Sequence, residues 1–361
     1  MARAPKLEEE RPPHDAIEGV ALPRQTTLLA GHHAAETALL DGYRSGRMHH
    51  GWILAGERGI GKATLAFRLA CFLFAHPDPE APEVKAAKDL FVDPVHPAAH
   101  RVAAGAHGNL LHLQREWNER DKRYRTELSV DAIRRITPFL GTTAGEGGWR
   151  VVIVDPADDM NRNAANAILK SLEEPPKKTL FLLAAERRGS LLPTILSRCR
   201  TLHLEPLSAE DTEKVVRAVA PGAAEGADAK LAAALAGGSP RRLIELVRAN
   251  GVELYRLMRA AIERNDRPSQ FKLATLAGDA RGLEQFLELF EGYLSRRIRG
   301  RAEPEQAEAA PAVPLVTWAA LWEKATLSGR EVEEYNLDRR QFALDLLETS
   351  AAALRAPGTP S

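Results

Sequence analysis

The chain has 361 residues, and its 49 Lys plus Arg are balanced by 49 Asp plus Glu, for a formal net charge of zero. At roughly 150 residues per domain, this length suggests two or three domains, each with its own core. The charge balance argues against a protein that coats nucleic acid or holds an acidic membrane by bulk positive charge, and no uninterrupted apolar run approaches the roughly 18 to 20 residues of a membrane span.

Residues 1–23 read as a disordered leader rich in Pro and Glu. They lack an apolar core followed by a small-residue cleavage site, so they are not a secretory signal. From Leu22 to about Leu207, short apolar blocks alternate with helical patterns, which predicts an α/β domain with a mainly parallel sheet. GWILAG (51–56), VVIVD (151–155) and TLFLLAA (179–185) are the expected buried strands. The stretch 76–128 between the first two reads as an insertion or an ordered subdomain.

After Pro206 the strand signals stop and the chain reads as helix. Ser208 with Asp211 resembles an N-cap pair, Gly237 and Gly238 end a helical pattern, and Ser239 with Pro240 starts the next. Further helical patterns cover about Leu254 to Ile298 and Val316 to Leu354, with a linker near 302–314. The expected plan is an α/β domain over 24–206, a small helical domain over 207–250 and a terminal helical domain over 251–361.

The first strand leads into GERGIGKAT, which carries Gly56, Gly61 and Lys62 at phosphate-loop spacing, with Gly59 between. Glycines let backbone N–H groups turn around phosphate oxygens, the following helix presents its positive end, and the lysine adds a point charge. The next position should hold Ser or Thr to bind magnesium, and Ala63 offers no oxygen. Thr64 follows, but one residue along a helix turns the side chain by about 100°, so it does not simply take over. Asp155 ends the second strand, where a phosphate-loop ATPase keeps its magnesium-supporting carboxylate. Pro156 then stands where many such enzymes place the glutamate that activates water. Loss of a general base typically costs on the order of 100-fold to 10,000-fold in rate. The loop therefore keeps phosphate-binding features and lacks two parts needed for efficient hydrolysis.

The segments MNRNAANAILKSLEEPP (160–176) and FLLAAERRGSLLPTILSRCRTLHLEPL (181–207), downstream of the phosphate loop, resemble the clamp-loader branch of the AAA+ proteins. The pattern extends from residue 24 to about 250. The resemblance implies an AAA+ phosphate-loop domain, a helical lid and a C-terminal helical collar used for oligomerisation. Within the branch, Ala63, Pro156 and Ala185 followed by Glu186 favour the delta prime family of bacterial DNA polymerase III, whose nucleotide site is degraded, over the gamma/tau ATPases. A carboxylate at Glu186 would repel a γ-phosphate and is no substitute for a polar sensor.

What the resemblance implies is specific. Arg198, the arginine of the SRC motif, would reach the nucleotide site of an adjacent subunit as a finger in trans, worth roughly 1,000-fold to 100,000-fold in rate there. The residues alone also fit an arginine capping its own helix end. Arg241 in GGSPRRL matches a second sensor arginine, or is a solvated helix residue. ATP would be bound, if at all, without efficient hydrolysis. The implied partners are gamma/tau and delta subunits in a hetero-pentamer, with the sliding clamp and primer–template DNA reached through the complex. The polymerase activity of the holoenzyme would lie in another chain. The compartment would be the cytoplasm, with no membrane partner. The alternatives are a gamma/tau-type ATPase using Thr64, and a structural scaffold whose phosphate loop is a relic.

Members of both subunit families commonly carry a four-cysteine zinc module after the first helix. Here only Cys71 and Cys199 occur, and the spacings of His76, His96, His100, His107 and His112 do not form an obvious tetrahedral set, so no zinc is expected. Cys199 reads as a packed side chain with no base beside it. Glu173 and Glu174 read as surface or subunit contacts. Ala164, Ile168 and Leu172 should face the sheet. The RRIRGR run from Arg296 reads as a helix end or interface, with DNA contact as the other option. Trp318 and Trp322 read as a packing stripe.

Overall fold

In the computed structural model, which describes residues 13–141, 148–226, 228–299, 313–335 and 337–355, the β-branched and leucine-rich blocks form a single parallel sheet. Its strands are β1 (Gly51–Ala55), β2 (Leu110–Leu113), β5 (Arg150–Val154), β6 (Thr179–Ala185) and β7 (Arg200–His203), in the order β2-β5-β6-β1-β7. β3 (Trp117–Asn118) and β4 (Arg123–Tyr124) form a separate antiparallel pair. All four pairings within the five-stranded sheet are parallel, so every strand ends on the same edge and the loops after β1, β5 and β6 converge there. That edge carries the phosphate loop.

β1 and β6 are buried along their whole length, because helices cover both faces. One face packs Leu54, Ile153 and Leu182 against the Lys62–Ala75 and His33–Arg44 helices. The other packs Ile53, Val152 and Leu183 against Ala164, Ile168 and Leu172 of the Arg162–Glu173 helix. The four-residue spacing of those three positions therefore marks the sheet-facing stripe, as expected. Asn161 caps that helix by accepting from the Ala164 backbone N–H at 2.9 Å, and Ser208 does the same for the Ala209–Val219 helix through the Asp211 N–H at 3.0 Å. Each such cap is worth about 1 kcal/mol.

The stretch 76–128, read as an insertion or an ordered subdomain, is ordered and is also part of the main sheet. It supplies β2, the edge strand of the main sheet, which pairs Leu110 to Leu113 with Val151 to Val154. The strand is four residues long with His112 in its middle, too short and too polar at its centre to announce itself by pattern. The rest of the stretch is pinned by side chains. Arg44 donates from Nε to Val84 O at 2.8 Å and also to Ala87 O, Tyr43 donates to His76 O, and Leu90 N donates to Glu36 Oε1 at 3.0 Å. Glu36 in turn pairs with Arg68 at 2.6 Å, with both side chains nearly buried. Among the described residues, no group of three or more His, Cys, Asp or Glu is placed to hold a metal ion.

The expected leader also meets a different finding. Its residues 1–12 lie outside the described residues, but from Pro13 the chain folds in short turns onto the domain, with Ala16 N donating to Pro13 O at 2.9 Å and Val20 N to Ile17 O at 3.0 Å. The adjacent His14 and Asp15 find partners far along the chain, which composition alone does not register.

Two compact units emerge. One comprises residues 1–221 with 238–241, and the other residues 222–237 with 242–361. The second unit is helical throughout its described residues. Trp318 is buried against Tyr293 with ring centroids 6.2 Å apart, and Arg297 pairs with Glu263 at 2.7 Å while lying over the Tyr293 ring. Arg296 covers Tyr255. The described arginines at the start of the RRIRGR run thus serve packing within this unit, and residues 300 and 301 of the run lie outside the described residues, as does the linker up to residue 312. No helix among the described residues is long and apolar enough to cross a membrane.

Candidate nucleotide and arginine sites

The loop after β1 is anchored on both sides by the sheet. Gly56 N donates to Ala185 O of β6 at 3.1 Å, and Leu204 N donates to Ala55 O at 2.8 Å. A Cβ at Gly56 would meet Leu204 O at 2.5 Å, so only glycine fits. Gly59 and Gly61 take φ of +77° and +115°, the region that favours glycine. His32, missed in the sequence, supports the loop from below by donating from Nε2 to Ile60 O at 2.7 Å. Burial lowers the pKa of its ring, which fits a neutral imidazole in that role. Lys62 opens the following helix, is buried, and folds its Nζ onto the loop carbonyls of Gly56 and Glu57, both at 2.7 Å.

Asp155 lies near Lys62 at the end of β5. Burial, together with the charge of Asp15, pushes its carboxyl up to about 7 against the pull of Lys62 and Arg241. Glu186, at the end of β6, is likewise raised by burial, with Lys62 and Arg58 pulling the other way. Asp158, not singled out in the sequence, fixes the turn after β6. Its carboxylate accepts from Glu186 N at 2.6 Å, from Arg187 N at 3.1 Å and from the Ser190 hydroxyl. Ala63 packs on the core. Thr64 is half-buried in the first turn of the same helix, one position on from the place where a magnesium-binding hydroxyl belongs.

Arg241 lies beside the loop. A Cβ at Gly59 would strike Ser239 Oγ at 2.6 Å and the Arg241 side chain, and Ser239 donates to Arg58 O at 2.8 Å. The structure therefore gathers Gly56, Gly59, Gly61, Lys62, Asp155 and Arg241 at one edge of the sheet.

Arg198 is at the opposite edge. It lies two residues before the start of β7, whose Arg200 pairs with Trp52 near the start of β1, and a Cβ at Gly51 would lie 3.4 Å from Arg198 O. The five residues of β1, at about 3.3 Å each, separate it from the phosphate loop. Its guanidinium donates to Thr194 O at 2.9 Å and pairs with Glu173 Oε1 at 2.6 Å. The helix-capping contact read from the sequence is present, and Glu173 is its unforeseen partner. Cys199 packs on Gly51, and burial pushes its thiol up to about 12, in keeping with a packed side chain.

Residues 31–208 match the family model described as DNA polymerase III, delta subunit. The chain resembles delta prime subunits of DNA polymerase III. It is 38% identical to that of Pseudomonas aeruginosa over 192 residues, 53% of each chain, and 32% identical to that of Escherichia coli K12 over 178 residues, 46% of each chain. The tau subunit of Escherichia coli K12 matches at 30% over 174 residues, 48% of this chain and 24% of that one. The chain thus spans about half the length of the delta prime relatives it matches. The resemblance to delta prime, favoured in the sequence by Ala63, Pro156 and Ala185 followed by Glu186, is met by these matches, and tau is similar as well. A solved gamma subunit-related protein of DNA polymerase III from Thermotoga maritima overlays with a TM-score of 0.44 at 16% identity, covering 88% of this chain and 100% of that one.

Proposed function

We propose that this chain is a clamp-loader subunit of a DNA polymerase III assembly, acting in the cytoplasm, that supplies Arg198 in trans to the ATP site of a gamma/tau neighbour and is not itself an ATPase. The partners in this reading are gamma/tau and delta subunits in a hetero-pentamer, and the complex places a sliding clamp on primed DNA. Its phosphate loop binds ATP or a related phosphate without efficient hydrolysis, and the reading calls for no zinc.

The observation that carries it is the separation of Arg198 from the chain's own phosphate loop by the full length of β1. An arginine there has no route to its own site, so any nucleotide it serves belongs to another subunit. A planar guanidinium placed on that γ-phosphate neutralises charge as the transition state forms. Ala63 and Pro156 support the second half of the reading, since the chain lacks a hydroxyl for magnesium and a carboxylate for water at the positions where those groups act.

The test is Arg198→Ala in a reconstituted loader, with ATP turnover and clamp loading followed together. Loss of turnover at the neighbouring site with assembly intact supports the trans role, and unchanged rates remove it. Hydrolysis by the purified chain that is abolished by Lys62→Ala would favour a gamma/tau-type ATPase instead.

A further inference from the structure

The phosphate-loop edge has a third wall, the segment that begins at Pro13. His14 stands edge-on to Tyr124, with ring centroids 5.3 Å apart. Arg115 donates to its Nε2 at 3.4 Å, which leaves Nδ1–H to face Asp15 Oδ1 at 3.3 Å. Asp15 Oδ1 is 3.4 Å from Arg58 Nη2 and 3.7 Å from Arg241 Nη2, and the Asp15 backbone carbonyl accepts from Arg241 Nη1 at 2.7 Å. Arg58 belongs to the phosphate loop itself, and the Arg241 side chain lies against Gly59 of that loop. One residue thus presents a carboxylate to both arginines and a second oxygen to one of them, which is the pattern a phosphate group offers a pair of guanidinium forks.

Asp15 is set against Arg58 and Arg241, while Asp155, Asp158 and Glu186 lie toward Lys62. Burial would raise the Asp15 carboxyl, but the His14 hydrogen bond and the Arg241 and Arg58 guanidiniums outweigh it and hold the group well below the usual carboxylate range. Asp15 is therefore a permanent anion near neutral pH.

We propose that Asp15 is a built-in counter-anion, seated between Arg58 and Arg241 where a phosphate group of a bound polyphosphate would otherwise sit, so that polyphosphate binds only by displacing the 13–20 segment. This rests on the reading that the loop binds phosphate. It adds that the site's weakness for nucleotide comes from an occupant within the same chain, besides the residues lost from the loop.

The probe is inorganic tripolyphosphate, titrated into the full chain and into Asp15→Asn, a substitution that keeps the shape and removes the charge. Asp15→Asn is expected to bind about tenfold more tightly, as two partly exposed ion pairs would allow, and Lys62→Ala in that background is expected to abolish binding. Amide exchange on the unaltered chain gives a second measurement that needs no substitution: saturating tripolyphosphate is expected to speed exchange across residues 14–20. Equal affinity in the two chains, or binding with no change in exchange there, overturns the role of Asp15 while leaving phosphate binding in place. Absence of binding in both overturns the role and the phosphate-loop reading together, and neither result bears on the Arg198 assay.

Discussion

Arg198 and Glu173 form a 2.6 Å ion pair at the edge of the sheet remote from the phosphate loop. Glu173 is the last residue of the Arg162–Glu173 helix, in the LEEPP segment, so the two family-like motifs meet in space through this pair. Both side chains are partly exposed, and such pairs are worth about 0.2 to 1 kcal/mol. That is enough to hold the guanidinium in one place and little enough for a triphosphate to draw it away.

Glu173→Gln is accordingly expected to leave the melting temperature within about 2 °C and to change turnover at the neighbouring site by less than about fivefold. Arg198→Ala should cost roughly 1,000-fold at that site, and Arg198→Lys should recover only part of it, because an ammonium cannot present two parallel donors. Single-site turnover in a reconstituted loader separates the three variants.

The Glu36–Arg68 pair should be a strong point of the fold. Arg68 also donates to Thr27 O at 2.6 Å, and Glu36 accepts from Leu90 N, so the pair joins two helices, the N-terminal stretch and the 76–128 stretch. Glu36→Ala leaves the nearly buried guanidinium with only the half-exposed Asp89, 3.5 Å away, and orphans the Leu90 N–H, and is expected to cost about 2 kcal/mol in a urea unfolding titration. Glu36→Gln, which keeps the acceptor, should cost less.

Two groups give stability opposite slopes with pH. Burial lowers His112 to about 4 from 6.5, so the unfolded chain binds its proton more readily. Its contribution is complete above pH 6.5 and is lost as pH falls toward 4. Asp155, raised to about 7 from 3.8, holds its proton more tightly in the folded chain. Its contribution is complete below pH 3.8 and is lost as pH rises toward 7. Asp155→Asn is therefore expected to raise the melting temperature at pH 8 by on the order of 5 °C and to do little at pH 4. His112→Phe should flatten the acid limb. Thermal melts across pH 4 to 8 distinguish the two.

The cysteines should be slow to react. Burial pushes the Cys71 thiol up to about 11 and that of Cys199 to about 12, which leaves little thiolate at pH 8. Alkylation of the native chain at pH 8 is expected to run at least about 100-fold slower than that of a free cysteine, whose pKa is about 8.5, and to reach that rate in denaturant.

What the sequence made legible was local. The apolar blocks of β1, β5 and β6 announced the sheet, the spacing of Ala164, Ile168 and Leu172 announced the buried helix face, and Ser208 announced a cap, because each signal sits within a few residues of its cause. β2 escaped because Leu110–Leu113 is too brief to show a period. Asp15, Glu36 and Glu173 escaped for another reason. Each is an ordinary polar residue until the fold sets it against an arginine, and in the case of Arg241 and Asp15 that arginine is 226 positions away. Arg198 and Arg241 could be singled out because they lie in motifs; their carboxylate partners lie in none that names them.

The four residues from Gly238 to Arg241 belong with the N-terminal unit although the chain on either side of them belongs to the other. A polypeptide cut at residue 221 would keep every strand of the sheet and still lose the Ser239 hydroxyl and the Arg241 side chain that lean on Gly59 and Arg58. The unit that can be inherited, expressed or swapped intact is therefore discontinuous in sequence, and a boundary drawn where similarity fades near residue 208 severs the phosphate loop from one of its own walls.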